Sequence, residues 1–336
     1  MSHLKTIFDT LDNSAKESEF SGTIRVTDAS GATLASAYGL ADRANNRPNT
    51  EDTRFSVASI TKGFTAATIG ALIDSGVLSM DTKVRPILGE DLPLIDDRVT
   101  VGQLLAHTSG IGDYLDEDLV ESFTDYVMTV PVHTLDKPEN YLTQLSGHDQ
   151  VSEPGEQFAY NNAGYCVLAL VAERAAGKSF YDLVQEKVFI PSGMSRTAFD
   201  RSDEPSAGQA VGYLFTEGLR TNVLHLPVRG NGDGGVVTTT QDLDKFWRAL
   251  LGGKLVSAST LALLTEPLVT DDDEESRYGR GFYRGWKNDV YYLEGGDAGI
   301  SARSWYDPST GVTASVLAND TETAWPVIGE LDWDTE

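Results

Sequence analysis

The chain has 336 residues, 40% of them hydrophobic, enough for a sizeable core in one large domain or two packed subdomains. Asp plus Glu number 51 against 26 Lys plus Arg, a formal net charge of −25. So acidic a surface repels phosphate backbones and anionic lipid, which argues against nucleic-acid and membrane partners.

At the N-terminus, Met1 to Asp9 has no long apolar stretch and carries an early acid, so it does not read as a secretory signal. No run reaches the roughly 18 apolar residues of a membrane span. The chain as given reads as cytoplasmic. Leu4, Ile7, Phe8 and Leu11 are spaced as one helix face, predicting a helix over 3–16. Phe20 to Thr27 alternates like a strand, Asp28 to Gly31 makes a turn, and Thr33 to Leu40 returns as a second strand. From Ile60 to Ser75 the pattern is helical, with Phe64, Ala67, Ile69, Leu72 and Ile73 at three- and four-residue steps and Gly76 as the stop.

Further helices are predicted at Val101 to Ala106 and Ala163 to Ala176. The single cysteine, Cys166, excludes an intrachain disulfide and sits in the apolar run Tyr165 to Leu170, as a structural thiol does. Pro191, Gly193 and Pro205 mark a loop, and Gly232-Asp233-Gly234-Gly235 leads into a helix over about 241–251. The acidic run Asp271 to Glu275 reads as a solvated loop. Strands follow at Tyr278 to Trp286, Val290 to Leu293, Ile300 to Tyr306 and Val312 to Leu317. Lys287-Asn288-Asp289, Glu294-Gly295-Gly296 and Asp307-Pro308-Ser309 separate them as turns, which gives an antiparallel meander. A last helix is expected over Thr323 to Leu331.

These elements predict an α/β fold of the α+β type. An antiparallel sheet is built from both ends of the chain and flanked by the N- and C-terminal helices. We read 1–336 as one catalytic domain, its α/β part at about 1–58 and 206–336 and an inserted, mainly helical part at about 59–205. A pocket between the two parts is the default place for a site.

Ser59-Ile60-Thr61-Lys62 opens the second predicted helix, so Ser59 and Lys62 share a face with Cβ atoms about 5–6 Å apart. A serine hydroxyl is a weak nucleophile until a neighbour takes its proton. A lysine does that when burial leaves it neutral. The pattern alone is weak, because Ser2-His3-Leu4-Lys5 also satisfies it and a capping serine with a surface lysine looks the same. Tyr160-Asn161-Asn162, in a loop before the Ala163 helix, adds a proton carrier in Tyr160 and an amide in Asn162 that can hold a carbonyl or position the lysine. The five histidines lack the i, i+4 pairing of zinc hydrolases, and no Gly-x-Ser-x-Gly elbow is present.

Together these motifs resemble the serine β-lactamase/penicillin-binding-protein superfamily, whose Ser-x-x-Lys is matched by Ser59 and Lys62. The version here looks most like class C β-lactamases, DD-peptidases and their esterase and D-amino-acid peptidase relatives, whose Tyr-x-Asn is matched by Tyr160 and Asn162. Leu104-Leu105-Ala106-His107-Thr108-Ser109-Gly110, Pro191-Ser192-Gly193-Met194 with Thr197, and Gly234 to Asp242 match further family segments in family order. The resemblance implies that the His107 segment is structural.

The third motif departs from the family. Anchored on Gly299-Ile300, its slot holds Leu293-Glu294-Gly295, so Leu293 stands where the family has Lys or His. Glu294 is expected to place negative charge where a substrate carboxylate sits, at a cost of up to a few kcal/mol. Arg229 and Arg303 are the cations that can restore the missing charge. By resemblance the oxyanion donors are the Ser59 N–H and one near Gly296, where the pair Gly295-Gly296 lets the backbone approach the substrate.

The expected function is serine hydrolysis through an acyl-enzyme, with no metal or organic cofactor. The substrate is a small neutral or cationic ester, amide or short peptide. Lys62, helped by Tyr160, takes the Ser59 proton; Tyr160 supplies the leaving group's proton and activates the deacylating water. The alternatives are a β-lactamase or D-Ala-D-Ala carboxypeptidase, and a non-catalytic binding protein on the same fold. Oligomeric state is not legible.

Overall fold

The computed structural model describes residues 3–115, 117, 122–204, 206–271 and 276–330. The N-terminal apolar spacing becomes helix α1 (His3–Glu17), which buries Ile7, Leu11 and Ala15. Strands β1 (Gly22–Thr27) and β2 (Thr33–Tyr38) form the expected hairpin, with Gly22 opposite Tyr38 and Thr27 opposite Thr33. The C-terminal strands are β3 (Val269–Asp271), β4 (Ser276–Tyr278), β5 (Tyr283–Gly285), β6 (Tyr291–Asp297), β7 (Ile300–Asp307) and β8 (Val312–Ala318). All eight make one antiparallel sheet in the order β2-β1-β8-β7-β6-β5-β4-β3. Both chain ends therefore meet in the sheet, with Ile24 opposite Val316.

Two predicted boundaries differ. Tyr278 to Trp286 is a hairpin rather than one strand, because Gly281 turns the chain at φ +95°, close enough to Ala66 that a Cβ would lie 2.3 Å from its methyl. Glu294-Gly295-Gly296 is not a turn but the middle of β6, and the reversal comes at Ala298-Gly299. Of the acidic run, Asp272 to Glu275 lie outside the described residues, as does Leu331 beyond the last helix.

Helices cover both sheet faces. On one, α1 and α6 (Ala324–Gly329) close over Ile24, Trp305 and Val316. On the other lie α2 (Thr61–Asp74), α3 (Val101–Leu105), α4 (Asn162–Ala176) and α5 (Thr240–Leu251). One apolar cluster runs from Phe55 through α2 and α4 to Leu293, Ala302 and Leu317, so the sheet and the helical segment share a core. Helix α2 is buried on nearly every side, not on one face as its spacing predicts. Phe64 meets Phe189 and Phe246 edge-on, and Thr65 Oγ1 donates to the Gly232 carbonyl at 2.7 Å, satisfying the buried hydroxyl. Among the described residues, no helix is long and apolar enough to cross a membrane.

Candidate active site

A two-residue ladder, Phe55–Ser56 against Val237–Thr238, delivers the chain to a 3₁₀ turn at Ala58–Ile60 that runs into α2. The Val57 N–H donates to the Val236 carbonyl at 3.0 Å, and the Val236 N–H donates to Thr61 Oγ1 at 3.1 Å. These bonds hold the residue before Ser59 in an unfavourable conformation, Ala58 at φ +40°. Ser59 is half-buried; Lys62, one turn on, is 2% exposed.

Lys62 Nζ lies 2.7 Å from Ser59 Oγ, 2.7 Å from Asn162 Oδ1 and 3.1 Å from the Asp233 carbonyl. Burial lowers its pKa from the ordinary lysine value, partly opposed by the charges of Asp233, Glu117 and Asp113. A neutral amine has two N–H donors and one lone pair. The two carbonyl oxygens take the donors, and the lone pair is left for the Ser59 hydroxyl.

Asn162 is placed by the start of α4. Asn161 caps the helix, its Oδ1 accepting from Gly164 N–H at 2.7 Å. The Asp113 carboxylate accepts from the N–H groups of Asn162 and Ala163, as an anion at a helix N-terminus does, though burial pushes its pKa up to about 6. Asn162 Nδ2 donates to Glu117 Oε1 at 2.8 Å, which fixes the amide with its oxygen toward Lys62.

Tyr160 presents its ring to the lysine, with Nζ 4.8 Å from the ring centroid. Burial first, then the Glu117 charge, push its phenol well above the ordinary value, while the Ser59 hydroxyl acts the other way. The direction of that shift favours the protonated phenol beside the Ser59 hydroxyl. His107 stacks on Tyr160 with centroids 4.5 Å apart, and its Nδ1 accepts from the Asn161 N–H at 3.0 Å. Burial keeps it neutral. It supports the Tyr160–Asn162 segment.

Residues 13–334 of the chain match the Beta-lactamase family. The chain belongs to the Beta-lactamase family. It is 30% identical over 293 residues to penicillin-binding protein 4* of Bacillus subtilis, covering 83% of this chain and 62% of that one. The chain thus spans less than two thirds of that relative's length. Esterase EstB of Burkholderia gladioli is 33% identical over 195 residues, covering 56% of this chain and 49% of the esterase. A solved penicillin-binding protein from Bacillus halodurans superposes with a TM-score of 0.90 at 32% identity, covering 96% of this chain and 99% of that one. The expected family and fold are those found.

The expected third-motif slot, Leu293-Glu294-Gly295, lies on β6. Leu293 and Gly295 face α2 and the Ser59 turn, and Glu294 and Gly296 face the opposite side of the sheet, where α6 lies. Leu293 is 2% exposed and packs on α2 so closely that a Cβ on Gly63 would lie 2.5 Å from Leu293 Cδ1. A Cβ on Gly295 would lie 2.1 Å from the Val57 carbonyl and 3.0 Å from the Ser59 nitrogen, so glycine lets the strand pass the Ser59 turn. Gly296 lies against Trp325, 3.1 Å from where its Cβ would stand.

The expected free charge of Glu294 is not present. Its carboxylate is ion-paired with Arg303, because cross-strand register sets the two residues opposite each other. That pairing also occupies Arg303. Arg229 lies over the Tyr181 ring at 3.6 Å and donates to the Phe199 carbonyl. Each candidate cation thus already has a partner, Arg303 in Glu294 itself and Arg229 at Tyr181 and Phe199.

Sequence reasoning missed Asp113, Tyr114, Glu117 and the role of Asp233. The Asp233 carbonyl holds Lys62 while its carboxylate accepts from the Tyr114 hydroxyl. An acid set between glycines ahead of a helix was the available signal for Asp233. The others come from a loop with no motif of its own.

Proposed function

We propose that the chain is a serine acyl hydrolase acting on a small ester, amide or short peptide that carries no carboxylate at the reaction centre. The observation that supports this best is Lys62 Nζ, buried and 2.7 Å from Ser59 Oγ, with the Asn162 and Asp233 carbonyl oxygens also within hydrogen-bond reach. The Ser59 proton passes to Lys62 as Oγ bonds the acyl carbon. The Ser59 N–H and the strand beside it at Gly295-Gly296 receive the oxyanion. Tyr160, held as a phenol, donates a proton to the leaving group and recovers one from Lys62. Water then cleaves the acyl-enzyme. We assign activation of that water to the neutral Lys62 amine rather than to Tyr160, whose raised pKa disfavours the phenolate. Leu293 in the basic slot supports a neutral or cationic substrate. The sole cysteine, buried Cys166, suits a reducing compartment, and we place the reaction in the cytoplasm.

A second reading, action on β-lactams or D-Ala-D-Ala termini, draws on the similarity to penicillin-binding protein 4*. One experiment separates these readings. Intact-protein mass is measured after exposure to a fluorophosphonate, an activated neutral ester or benzylpenicillin, beside Ser59→Ala. An adduct on Ser59 from the first two alone supports the proposal. A stable or turned-over penicilloyl adduct moves the reading to the second. No Ser59 adduct from any probe removes the catalytic reading and leaves a binding protein on this fold.

A further inference from the structure

A cavity of about 130 Å3 opens beside the nucleophile turn, with Ala58 and Asp233 in its wall. Among the described residues its lining contains no lysine or arginine, yet three aspartates reach it, Asp200, Asp233 and Asp297. Two are already engaged. Asp200 pairs with Arg54 at 2.7 Å, and Asp233 accepts from the Tyr114 hydroxyl. Asp297, at the end of β6, has no ion pair among the described residues. Its one hydrogen bond there comes from the adjacent Ala298 N–H at 2.7 Å. Burial, with the Glu117 and Asp233 charges behind it and the Ala298 N–H and the Lys62 charge opposing, pushes the carboxyl up to about 7. No lysine or arginine among the described lining residues pairs with it, and the more distant Lys62 charge does not outweigh burial.

Two more groups in the same wall are unsatisfied. Asn231 is fully buried, and neither of its amide atoms has a hydrogen-bond partner among the described residues. His225 Nε2 lies 3.2 Å from the Thr124 carbonyl and is therefore the donor, which leaves Nδ1 as a buried acceptor without a partner. Each unpaired buried polar atom costs about 1–3 kcal/mol. A ligand's N–H donors satisfy Asn231 Oδ1 and His225 Nδ1, and a carbonyl oxygen on the same ligand accepts from Asn231 Nδ2.

We propose that this cavity is the subsite for a protonated amine carried beside the scissile bond, with Asp297 as counter-ion and Asn231 and His225 as further acceptors. The favoured substrates are then aminoacyl esters or amides, including peptide N-termini. The assignment rests on the reading of Ser59 as nucleophile for its link to catalysis, and the chain's net charge of −25 favours approach of such cations.

The test measures binding without turnover. Ser59→Ala protein is titrated by calorimetry with phenylalaninamide and with N-acetylphenylalaninamide, at a pH below the free amine's pKa. The cationic amide is expected to bind at least about tenfold more tightly, and Asp297→Asn in the same background is expected to erase the difference. Equal affinities, no binding of either amide, or a preference that survives Asp297→Asn would overturn the proposal. The two-ligand comparison decides the matter even where Asp297→Asn does not fold. Fluorophosphonate labelling of the unsubstituted chain tests the nucleophile separately, so loss of one reading is not mistaken for loss of the other.

Discussion

Asn162 Oδ1 and Lys62 Nζ lie 2.7 Å apart, joining the first turns of α4 and α2 across 100 residues of sequence. A neutral amide oxygen there accepts from the amine without stabilising its charge as a carboxylate does. Asn162→Asp is expected to raise the Lys62 pKa. Since activity needs the neutral amine, the acidic limb of the kcat/KM profile moves to higher pH. Activity near neutrality falls about tenfold for each unit of that shift and recovers on the alkaline side. A profile that drops without moving would assign Asn162 to substrate binding instead.

Lys62→Met keeps the volume and removes the base. Labelling of Ser59 by a fluorophosphonate is expected to slow by about 10²–10⁴-fold, the range for loss of a general base. Time-resolved intact mass measures it, with Ser59→Ala as the zero.

Gly63 and Leu293 test the packing of β6 on α2. Gly63→Ala is expected to destabilise by about 1–3 kcal/mol, because the new methyl meets a buried side chain. Leu293→Ala made alongside it removes the clash, so the double variant is more stable than the sum of the single changes predicts. Urea denaturation of the four proteins gives the coupling, and additive losses would deny the contact.

Gly295→Ala sets a methyl against the Val57 carbonyl and the Ser59 nitrogen, neither of which is a flexible side-chain end. Displacing the strand from the nucleophile turn is expected to lower kcat by about 10²–10³-fold, as loss of an oxyanion donor does. Steady-state kinetics on an activated ester separates this from a KM effect.

Asp113 titrates with a definite sign. Its folded pKa, about 6, lies above the ordinary 3.8, so between those values the folded state binds more protons than the unfolded one. Its contribution is full below the lower value and is lost as pH rises through the upper one, at no more than about 1.4 kcal/mol per pH unit. Asp113→Asn is expected to flatten that stretch of the stability curve. Chemical denaturation across the interval checks it, and an unchanged slope assigns the titration to other groups, Asp297 first.

The paired motifs were legible because each is local. Ser59 and Lys62 are one turn apart, and Tyr160 and Asn162 flank a helix cap, so chain spacing alone sets their geometry. The glycines of β6 were misread as a turn because local sequence signals flexibility but not close approach. Gly295 is needed by Val57 and Ser59, which lie on a distant segment. The same limit hid Asp113, Glu117 and Asp297, whose surroundings exist only after loops and strand meet. Glu294 was read as a free charge because its partner Arg303 becomes visible only in the β6–β7 register.

Helix α2 carries Lys62 and is enclosed on nearly every side, whereas the cavity rim is loose-fitting surface. Val127 and Leu224 are each 79% exposed, and their neighbours Met128, Val223 and His225 line the cavity. Inherited change is therefore channelled. Substitutions in α2 disturb packing and chemistry at once, but those at 126–128 and 222–226 reshape what is admitted while the reacting atoms stay where they are. A library confined to those rim positions samples new substrates at little risk to folding.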